Sequence, residues 1–282
     1  RAEAIQATQI RPHICRRLFR SISNGHVAVK ITFLGTGTSQ GIPIIGCECP
    51  VCISENRKDN RLRTSAWVET GDVSIVIDSG PDFRYQMLRA NVRHLDAIIF
   101  THGHKDHIAG LDDIRAYNFI HGKPVDIYAT EETQETIKRE FSYIFNNASY
   151  PGVPQIIMNT IDPYTPFEVK GVMVTPIRLL HYKMEVLGFR IGDFTYITDA
   201  NYIEPEDLAK ANGSKALVLN ALRHEPHISH YTLAEAMDVA RTVRAGDTYF
   251  THISHQLGLH DVIDADLPEG MHLAYDGLVL EF

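Results

Sequence analysis

The sequence has no uninterrupted apolar run that approaches the length of a membrane span, although 44% of its 282 residues are hydrophobic. A membrane-spanning helix needs about 20 consecutive, predominantly apolar residues. The first residues also lack the apolar core of a secretory signal peptide. These absences argue against a membrane-spanning protein and against secretion, so we predict a cytoplasmic protein with no membrane partner.

Positive charge is scarce, since the chain has 27 Lys and Arg against 35 Asp and Glu, a formal net charge of -8. Nonspecific nucleic-acid binding depends on clustered basic residues that neutralise phosphates, so we expect no stable nucleic-acid partner. Short-period repeats, low-complexity tracts and linkers rich in Pro, Gly and Ser are also absent, which favours one globular domain. A homodimer is compatible with these features, and the sequence leaves the oligomeric state open.

Residues 1–28 differ from the rest of the chain because they are basic, with five arginines and a single acid, Glu3. Their composition suggests no mechanism, and a strand-like pattern begins at residue 29. We therefore predict an N-terminal extension over 1–28, poorly ordered or non-native, followed by a single domain over 29–282. A transit-like segment and a partner-binding arm are the alternatives.

Histidines are concentrated after the apolar run at 97–100, where residues 101–110 read Thr-His-Gly-His-Lys-Asp-His-Ile-Ala-Gly. Three imidazoles and one carboxylate fall within six residues: His102, His104, Asp106 and His107. A loop after a buried strand can point all four inward. Mixed nitrogen and oxygen ligands suit Zn²⁺ or a comparable divalent ion, and we favour two ions, one held by the first pair and one by the second. A solvated polar loop in a histidine-rich chain is the alternative.

The pattern His-x-His-x-Asp-His after a short apolar strand resembles the signature of the metallo-beta-lactamase superfamily of dinuclear hydrolases. This resemblance implies three further ligands at strand ends, and His181, Asp199 and His252 each follow an apolar run. By resemblance, one metal is held by His102, His104 and His181, the other by Asp106, His107 and His252, and Asp199 bridges them. A bridging carboxylate suits two cations about 3.5–4 Å apart. At this separation both cations can stabilise the attacking and leaving oxygens of one displacement reaction. The domain over 29–282 would then be a single metallo-hydrolase domain.

Three of the four cysteines lie within six residues, Cys47, Cys49 and Cys52, in a Cys-x-Cys-x2-Cys spacing that lacks one ligand of a tetrahedral metal site. Near the other end of the chain, His255 offers the fourth. Together with the histidine loop, this set resembles the PhnP-type phosphoribosyl cyclic phosphate phosphodiesterases, which implies a separate structural zinc. The likeness runs from about residue 29 to the end of the chain. Reduced bystander thiols and a disulfide are the alternatives.

The remaining pattern alternates strands with helices, and helices are predicted over 81–90, over 131–145 and after the capping box Thr232-x-x-Glu235. The fold class is therefore α/β, and the resemblance implies an αββα four-layer sandwich with two mixed sheets face to face and every ligand at one rim. Asp78, which ends a predicted strand, is either an acceptor that orients a ligand histidine or an ordinary turn residue. The glycine-rich stretch 35–41 is predicted to be a tight turn at this rim, which either has only a turn role or also lines the substrate pocket.

The resemblance implies hydrolysis of a small, cyclic phosphodiester such as a ribosyl 1,2-cyclic phosphate, with two divalent metals (zinc or manganese) activating a water and a third, structural zinc. Asp106 then has a catalytic role beside its ligand role. His230 is the candidate general acid, because ribonuclease Z and the cyclic phosphodiesterases carry a catalytic histidine in a matching His-x-Thr-Leu-x-x-Ala context; a polar lid residue is the alternative. Four nearby side chains either hold a phosphate or lie at the surface: Lys183, Arg223, His224 and His227.

Two other functions share the histidine loop. Ribonuclease Z carries a long tRNA-gripping insertion between the counterparts of His181 and Asp199, where this chain has only residues 182–198. Thioesterases and lactonases of the glyoxalase II type lack both the cysteines and the His230 context. A noncatalytic scaffold would need lost ligands, and a flavo-diiron protein usually has Glu in place of His104. The sequence therefore favours a small-molecule phosphodiesterase.

Overall fold

Two seven-stranded sheets form the centre of the molecule, for which a computed structural model describes residues 29–146 and 152–282. The predicted extension at 1–28 lies outside the described residues, and the domain boundary at residue 29 stays a prediction. In chain order, the strands are β1 (Val29–Gly35), β2 (Ser65–Thr70), β3 (Val73–Ile77), β4 (Ala97–Ile99), β5 (Val125–Ala129), β6 (Ile156–Thr160), β7 (Phe167–Val169), β8 (Val172–His181), β9 (Met184–Ile191), β10 (Phe194–Tyr196), β11 (Ala216–Asn220), β12 (Asp247–Thr251), β13 (Met271–Leu273) and β14 (Val279–Glu281).

The helices connect and cover these strands. They are α1 (Phe83–Ala90), α2 (Lys105–Ile108), α3 (Arg115–His121), α4 (Glu131–Glu140), α5 (Ser142–Phe145), α6 (Pro205–Leu208), α7 (Leu233–Val243) and α8 (His260–Ala265). Among the described residues, no helix combines the length and the apolar character that crossing a membrane requires.

Both sheets are mixed and follow the same plan. The first has the order β14-β1-β2-β3-β4-β5-β6 and is antiparallel from β14 to β3 and parallel from β3 to β6. The second has the order β13-β12-β11-β10-β9-β8-β7 and is parallel from β13 to β10 and antiparallel from β10 to β7. The parallel half of each sheet brings the carboxyl ends of several strands to one edge, where ligands bind in α/β folds.

Strand residues alternate between an inner and an outer core, because successive side chains point to opposite faces of a sheet. In β3, Ile75 and Ile77 pack in the core between the sheets, whereas Val76 packs in an outer core that includes α1 and α4. In β11, Val218 faces the inner core and Leu219 faces a second outer core that includes α7. The predicted αββα sandwich is confirmed, and burial on both faces explains why these strands read as continuous apolar runs.

The predicted helices are found, with one interruption. The segment over 131–145 forms two helices, α4 and α5, because Phe141 leaves the helical conformation at φ -114° while its ring is buried in the outer core. At the start of α7, the capping box is present: Glu235 N–H donates to Thr232 Oγ1 at 3.2 Å, and Thr232 N–H donates to Glu235 Oε2 at 2.8 Å. This cap fixes the start of α7, directly after the segment that carries His230.

The glycine-rich stretch 35–41 is a turn wedged between neighbouring segments. Gly37 forms bridges to both Arg63 and Ile253, and a Cβ atom at Gly35 would overlap the Arg63 carbonyl. Glycine is therefore required here for the close approach of two backbones, which is the turn role predicted from the sequence.

Candidate functional site

The predicted ligands come from strand ends in both sheets and meet at one rim. The histidine loop follows β4, and α2 begins directly after His104. In the second sheet, His181 ends β8, Asp199 follows β10, and His252 follows β12. The structure brings all seven predicted ligands into overlapping groups whose ligand atoms lie within 4.8 Å of one another. We call this set the histidine–aspartate cluster: His102, His104, Asp106, His107, His181, Asp199 and His252.

Three of the residues that shape this cluster have left-handed backbone conformations. The φ angles are 62° at Asp78 and 55° at His252, each directly after a strand, and 57° at Asp199, three residues after β10. A non-glycine residue pays roughly 1–2 kcal/mol for this conformation. The sharp turn lets a residue that has just left a strand direct its side chain across the rim, which is a use of strain typical of functional sites.

The first group of side chains that could hold a metal ion consists of His102, His104 and His181. His181 Nδ1 donates to the Ser229 carbonyl at 2.9 Å, so its Nε2 keeps a free lone pair. His102 is buried, and its Nε2 has no hydrogen-bond partner. A buried nitrogen without a partner is costly unless a ligand such as a metal ion satisfies it. His104 completes the group from the exposed side of the loop.

Asp78 fixes the orientation of two histidines in the cluster. Its Oδ2 accepts a hydrogen bond from His107 Nδ1 at 2.7 Å and from Thr101 Oγ1 at 2.8 Å. Because the Thr101 hydroxyl donates to Asp78, it accepts from His102 Nδ1 at 3.0 Å. With their Nδ1 atoms engaged in this way, His102 and His107 direct their Nε2 atoms toward the cluster, where both are buried without a hydrogen-bond partner. Of the two sequence hypotheses for Asp78, the structure supports the orienting acceptor.

Asp199 lies between the two groups of ligands. Its Oδ2 is 3.3 Å from His107 Nε2 and 3.3 Å from His252 Nδ1, and it accepts a hydrogen bond from Thr198 Oγ1 at 2.6 Å. Asp106 approaches the same His107 nitrogen, with Oδ2 3.3 Å from Nε2. Asp199 belongs to three of the ligand groups, which is the position that a bridging carboxylate requires.

The electrostatics of the cluster suit cation binding. Burial holds the pKa of His102 well below its usual value and lowers that of His252 to about 4, so both are neutral, which is the form that binds metals. Burial alone would lower the pKa of His107, but Asp106, Asp199 and Asp78 raise it well above the usual value. The negative charge of these carboxylates therefore favours a cation, either a proton or a metal ion, at His107 Nε2. The burial of His102 and His107 argues against the alternative of a solvated polar loop, since only His104 and Lys105 are exposed among residues 101–107.

His230 joins the cluster from the segment before α7. Its Nε2 is 3.1 Å from Asp199 Oδ1, and its ring stacks on His252 with centroids 4.8 Å apart. On the other side of the ring, Nδ1 is 3.0 Å from Ser229 Oγ and 3.1 Å from His227 Nδ1. The structure therefore places His230 with its Nε2 toward Asp199 and with its Nδ1 toward Ser229 and His227.

The other side chains suggested for phosphate binding differ in placement. Arg223 donates to the carbonyls of Glu225 and Pro226 and to Gln256 Oε1, so its guanidinium connects its own loop to the segment after β12. His224 is exposed. His227 touches His230, and Lys183 lines a cleft beside the cluster. Sequence reasoning missed Thr101 and Ser229, for which adjacency to a ligand or candidate acid was the only signal.

A second group of ligand-type side chains lies nearby, formed by Cys47, Cys49, Cys52 and His255, which we call the cysteine cluster. Its three thiols are free, and their Sγ atoms lie 3.4, 3.3 and 3.6 Å from His255 Nδ1. A tetrahedral zinc with the usual bond lengths separates sulfur and nitrogen ligands by about 3.6 Å. The backbone N–H of Cys52 lowers the pKa of Cys49 to about 6, which favours the thiolate.

Comparison with known proteins agrees with this geometry. Residues 74–253 match the family described as the beta-lactamase superfamily domain. The octanoyltransferase of Porphyromonas gingivalis is 36% identical over 252 residues, which are 89% of this chain and 51% of that protein. Ribonuclease Z of Nostoc sp. is 30% identical over 169 residues, 58% of this chain and 47% of that protein. The chain thus spans about half the length of these curated relatives.

A solved structure supplies a match over nearly the whole of both chains. The crystal structure of a new diphosphatase from the PhnP family superimposes with a TM-score of 0.85 at 41% identity, covering 90% of this chain and 97% of that one. The chain therefore belongs to the metallo-beta-lactamase superfamily and, within it, to the PhnP family.

Proposed function

We propose that this chain is a metal-dependent hydrolase whose substrates are small phosphodiesters, such as a ribosyl cyclic phosphate, or small diphosphates. One observation carries the proposal: two buried imidazole nitrogens, His102 Nε2 and His107 Nε2, lie without hydrogen-bond partners among carboxylates and further imidazoles. Such nitrogens suit divalent cations, and the surrounding carboxylates supply the compensating negative charge.

The residues present fit two metal ions. His102, His104 and His181 would hold one, Asp106, His107 and His252 the other, and Asp199 both. When bound, zinc or manganese would supply positive charge for the phosphoryl oxygens and lower the pKa of a coordinated water. Asp106 also offers a carboxylate oxygen that can accept a hydrogen bond from the attacking water, which is its proposed catalytic role.

His230 would protonate the leaving oxygen. Ser229 and His227 hold its Nδ1 side, so that Nε2 faces the cluster, where Asp199 Oδ1 lies 3.1 Å away. A proton on Nε2 can then pass to the alkoxide that departs from phosphorus. Leaving-group protonation of this kind is the usual part of a general acid in ester hydrolysis.

A third ion is proposed for the cysteine cluster, where it would be structural. Three thiols and one imidazole form a closed set of four ligands, which leaves no open position for a substrate. The same set is half-buried and lies outside the histidine–aspartate cluster. Zinc is the ion that such a Cys3His set favours.

Ribonuclease Z activity is the second candidate, favoured by the 30% identity to the Nostoc enzyme. Against it, residues 182–198 form only two two-residue turns, β9, β10 and the two residues after β10, so the described chain has no protruding arm between His181 and Asp199. The net charge of -8 also gives little long-range attraction for a polyanion. A small substrate therefore fits better than tRNA.

A hydrolysis screen tests the proposal. Zinc- and manganese-loaded protein is offered cyclic and linear phosphodiesters, organic diphosphates, thioesters, lactones and precursor tRNA under the same conditions. We expect the highest kcat/KM for a small phosphodiester or diphosphate. Preference for a thioester, a lactone or precursor tRNA would overturn the proposed function.

A further inference from the structure

An open cleft adjoins the histidine–aspartate cluster and is not explained by metal binding. It has a volume of about 360 Å³, and His104 and His181 form the wall that it shares with the cluster. The remaining wall is Tyr182, Lys183, Met184, Ile228 and Ser229. A molecule in this cleft would therefore lie directly beside the proposed reaction centre.

The mouth of the cleft has two large apolar side chains that are open to solvent. Tyr182 is 48% exposed and Ile228 is 64% exposed. They come from different segments, the turn between β8 and β9 and the segment before α7, and both line the cleft. Phosphoryl chemistry alone has no use for such a surface, whereas a ligand with an apolar part would cover it.

The backbone at Tyr182 is held in a conformation that is costly for a bulky side chain. Tyr182 and Lys183 are the two residues of the hairpin turn, and Tyr182 has a φ of 58°, a conformation that favours glycine. Its N–H donates to Asn201 Oδ1 at 2.6 Å, which ties the turn to the loop that begins with Asp199. A bulky ring in a strained but fixed turn is a feature of ligand-binding sites.

Lys183 adds a positive charge at the same mouth. Its Nζ lies 5.2 Å from the centroid of the Tyr182 ring, within the range of a cation–π contact. The cleft thus combines an aromatic face, an aliphatic side chain and a cation beside a site suited to phosphoryl groups. A flat aromatic ring linked to phosphate matches this combination.

We propose that the cleft binds the base of a nucleotide substrate, stacked on Tyr182 and in contact with Ile228, with its phosphoryl group toward the histidine–aspartate cluster. This inference rests on the proposed function and narrows its substrate class to phosphodiesters or diphosphates that carry a base, in place of the base-free ribosyl 1,2-cyclic phosphate that the sequence resemblance implies. A ribosyl phosphate without a base would leave the apolar mouth uncovered. Stacking on a tyrosine accepts any base, so the cleft would select for a base without selecting which one.

Equilibrium binding tests this with two ligands that share ribose and phosphate. Adenosine 5′-monophosphate and ribose 5-phosphate are titrated into metal-loaded protein by calorimetry. We expect the adenosine ligand to bind more tightly by about 5- to 150-fold, the range expected for one base stacked on an aromatic side chain. Tyr182→Ala should remove this advantage and leave the affinity for ribose 5-phosphate unchanged, whereas Tyr182→Phe should keep it. The matched control is Tyr85→Ala, an exposed tyrosine on α1 that does not line the cleft.

The result is separable from hydrolysis because it measures binding. Equal wild-type affinities for the two ligands, no binding of the adenosine ligand, or equal losses for both ligands in Tyr182→Ala would each overturn the inference. If the protein cleaves phosphodiesters but shows no preference for a base, the proposed function stands and only the role of the cleft is refuted. If its affinity depends on the base but it cleaves no phosphodiester, the role of the cleft stands and the proposed function is refuted.

Discussion

His252 and His255 lie three residues apart, yet they belong to two separate clusters, His252 to the histidine–aspartate cluster and His255 to the cysteine cluster. Between them, Ile253 N–H donates to the Thr36 carbonyl at 2.9 Å, and Thr38 N–H donates to the Ile253 carbonyl at 3.1 Å. One short loop therefore connects the two sites and also ties them to the glycine-rich turn. The proposed structural zinc could therefore act on catalysis through the position of this loop.

Replacing His104 separates catalysis from folding. Its side chain lies on the exposed side of the loop and makes no capping bond to α2, so His104→Ala removes a ligand with little loss of packing. Removing a residue that hydrogen-bonds to a metal ligand typically costs roughly 10- to 100-fold, and removing a ligand itself should cost more. We therefore expect kcat/KM for a phosphodiester to fall by more than this amount, while the melting temperature stays near normal. Full activity in the variant would contradict the proposed ligand set.

Asp78 should tune metal affinity without binding the metal. Asp78→Asn keeps the size of the side chain but weakens the bonds that orient His107 directly and His102 through Thr101. We expect a 10- to 100-fold loss of metal affinity, about the usual effect of such partners, measured by competition with a chelator. The matched control is Asp96→Asn, the same change at the other end of β4, where Asp96 accepts from Ser74 N–H. If both variants bind metal equally well, Asp78 does not orient the ligands.

Loss of a ligand of the cysteine cluster should lower the stability of the fold. Cys49→Ser removes one of four converging ligands, and the melting temperature should fall by about 2–4 °C for each kcal/mol of stability lost in a domain of this size. Metal analysis should show three ions per native chain and two in the variant. The neighbouring exposed residue provides the control, since Glu48→Gln should change neither value. Two ions or fewer in the native protein would refute the three-metal proposal.

Several features of the fold and the site could be predicted from sequence because they depend on local pattern. The alternation of Ile75, Val76 and Ile77 between two cores, and the capping box at Thr232, follow from periodicity and side-chain chemistry within a few residues. The closely spaced histidines and Asp106 after β4 indicated a metal site. The family resemblance then pointed to the remaining ligands of the histidine–aspartate cluster.

Other features depend on contacts between distant segments. The relay from Asp78 through Thr101 to His102 joins residues from two strand ends, and a single sequence does not record which ends are neighbours. The break of the helix at Phe141 reflects burial of its ring in a core built from other segments. The sequence left Arg223 open between a phosphate-binding and a surface role, because the carbonyls that accept its hydrogen bonds are set by loop conformation, which has no residue pattern.

The last prediction distinguishes His230 from the metal ligands. If it protonates the leaving alkoxide, His230→Ala should keep all metals bound and lose about 100- to 10,000-fold in rate on an alkyl or ribosyl ester. A p-nitrophenyl ester should be much less affected, because p-nitrophenolate is a stable anion that needs little protonation. His272→Ala, which changes a histidine on β13 outside both clusters, should affect neither substrate. Equal losses on the two substrates would mean that His230 binds phosphate or holds a metal, since only a general acid makes the loss depend on the leaving group.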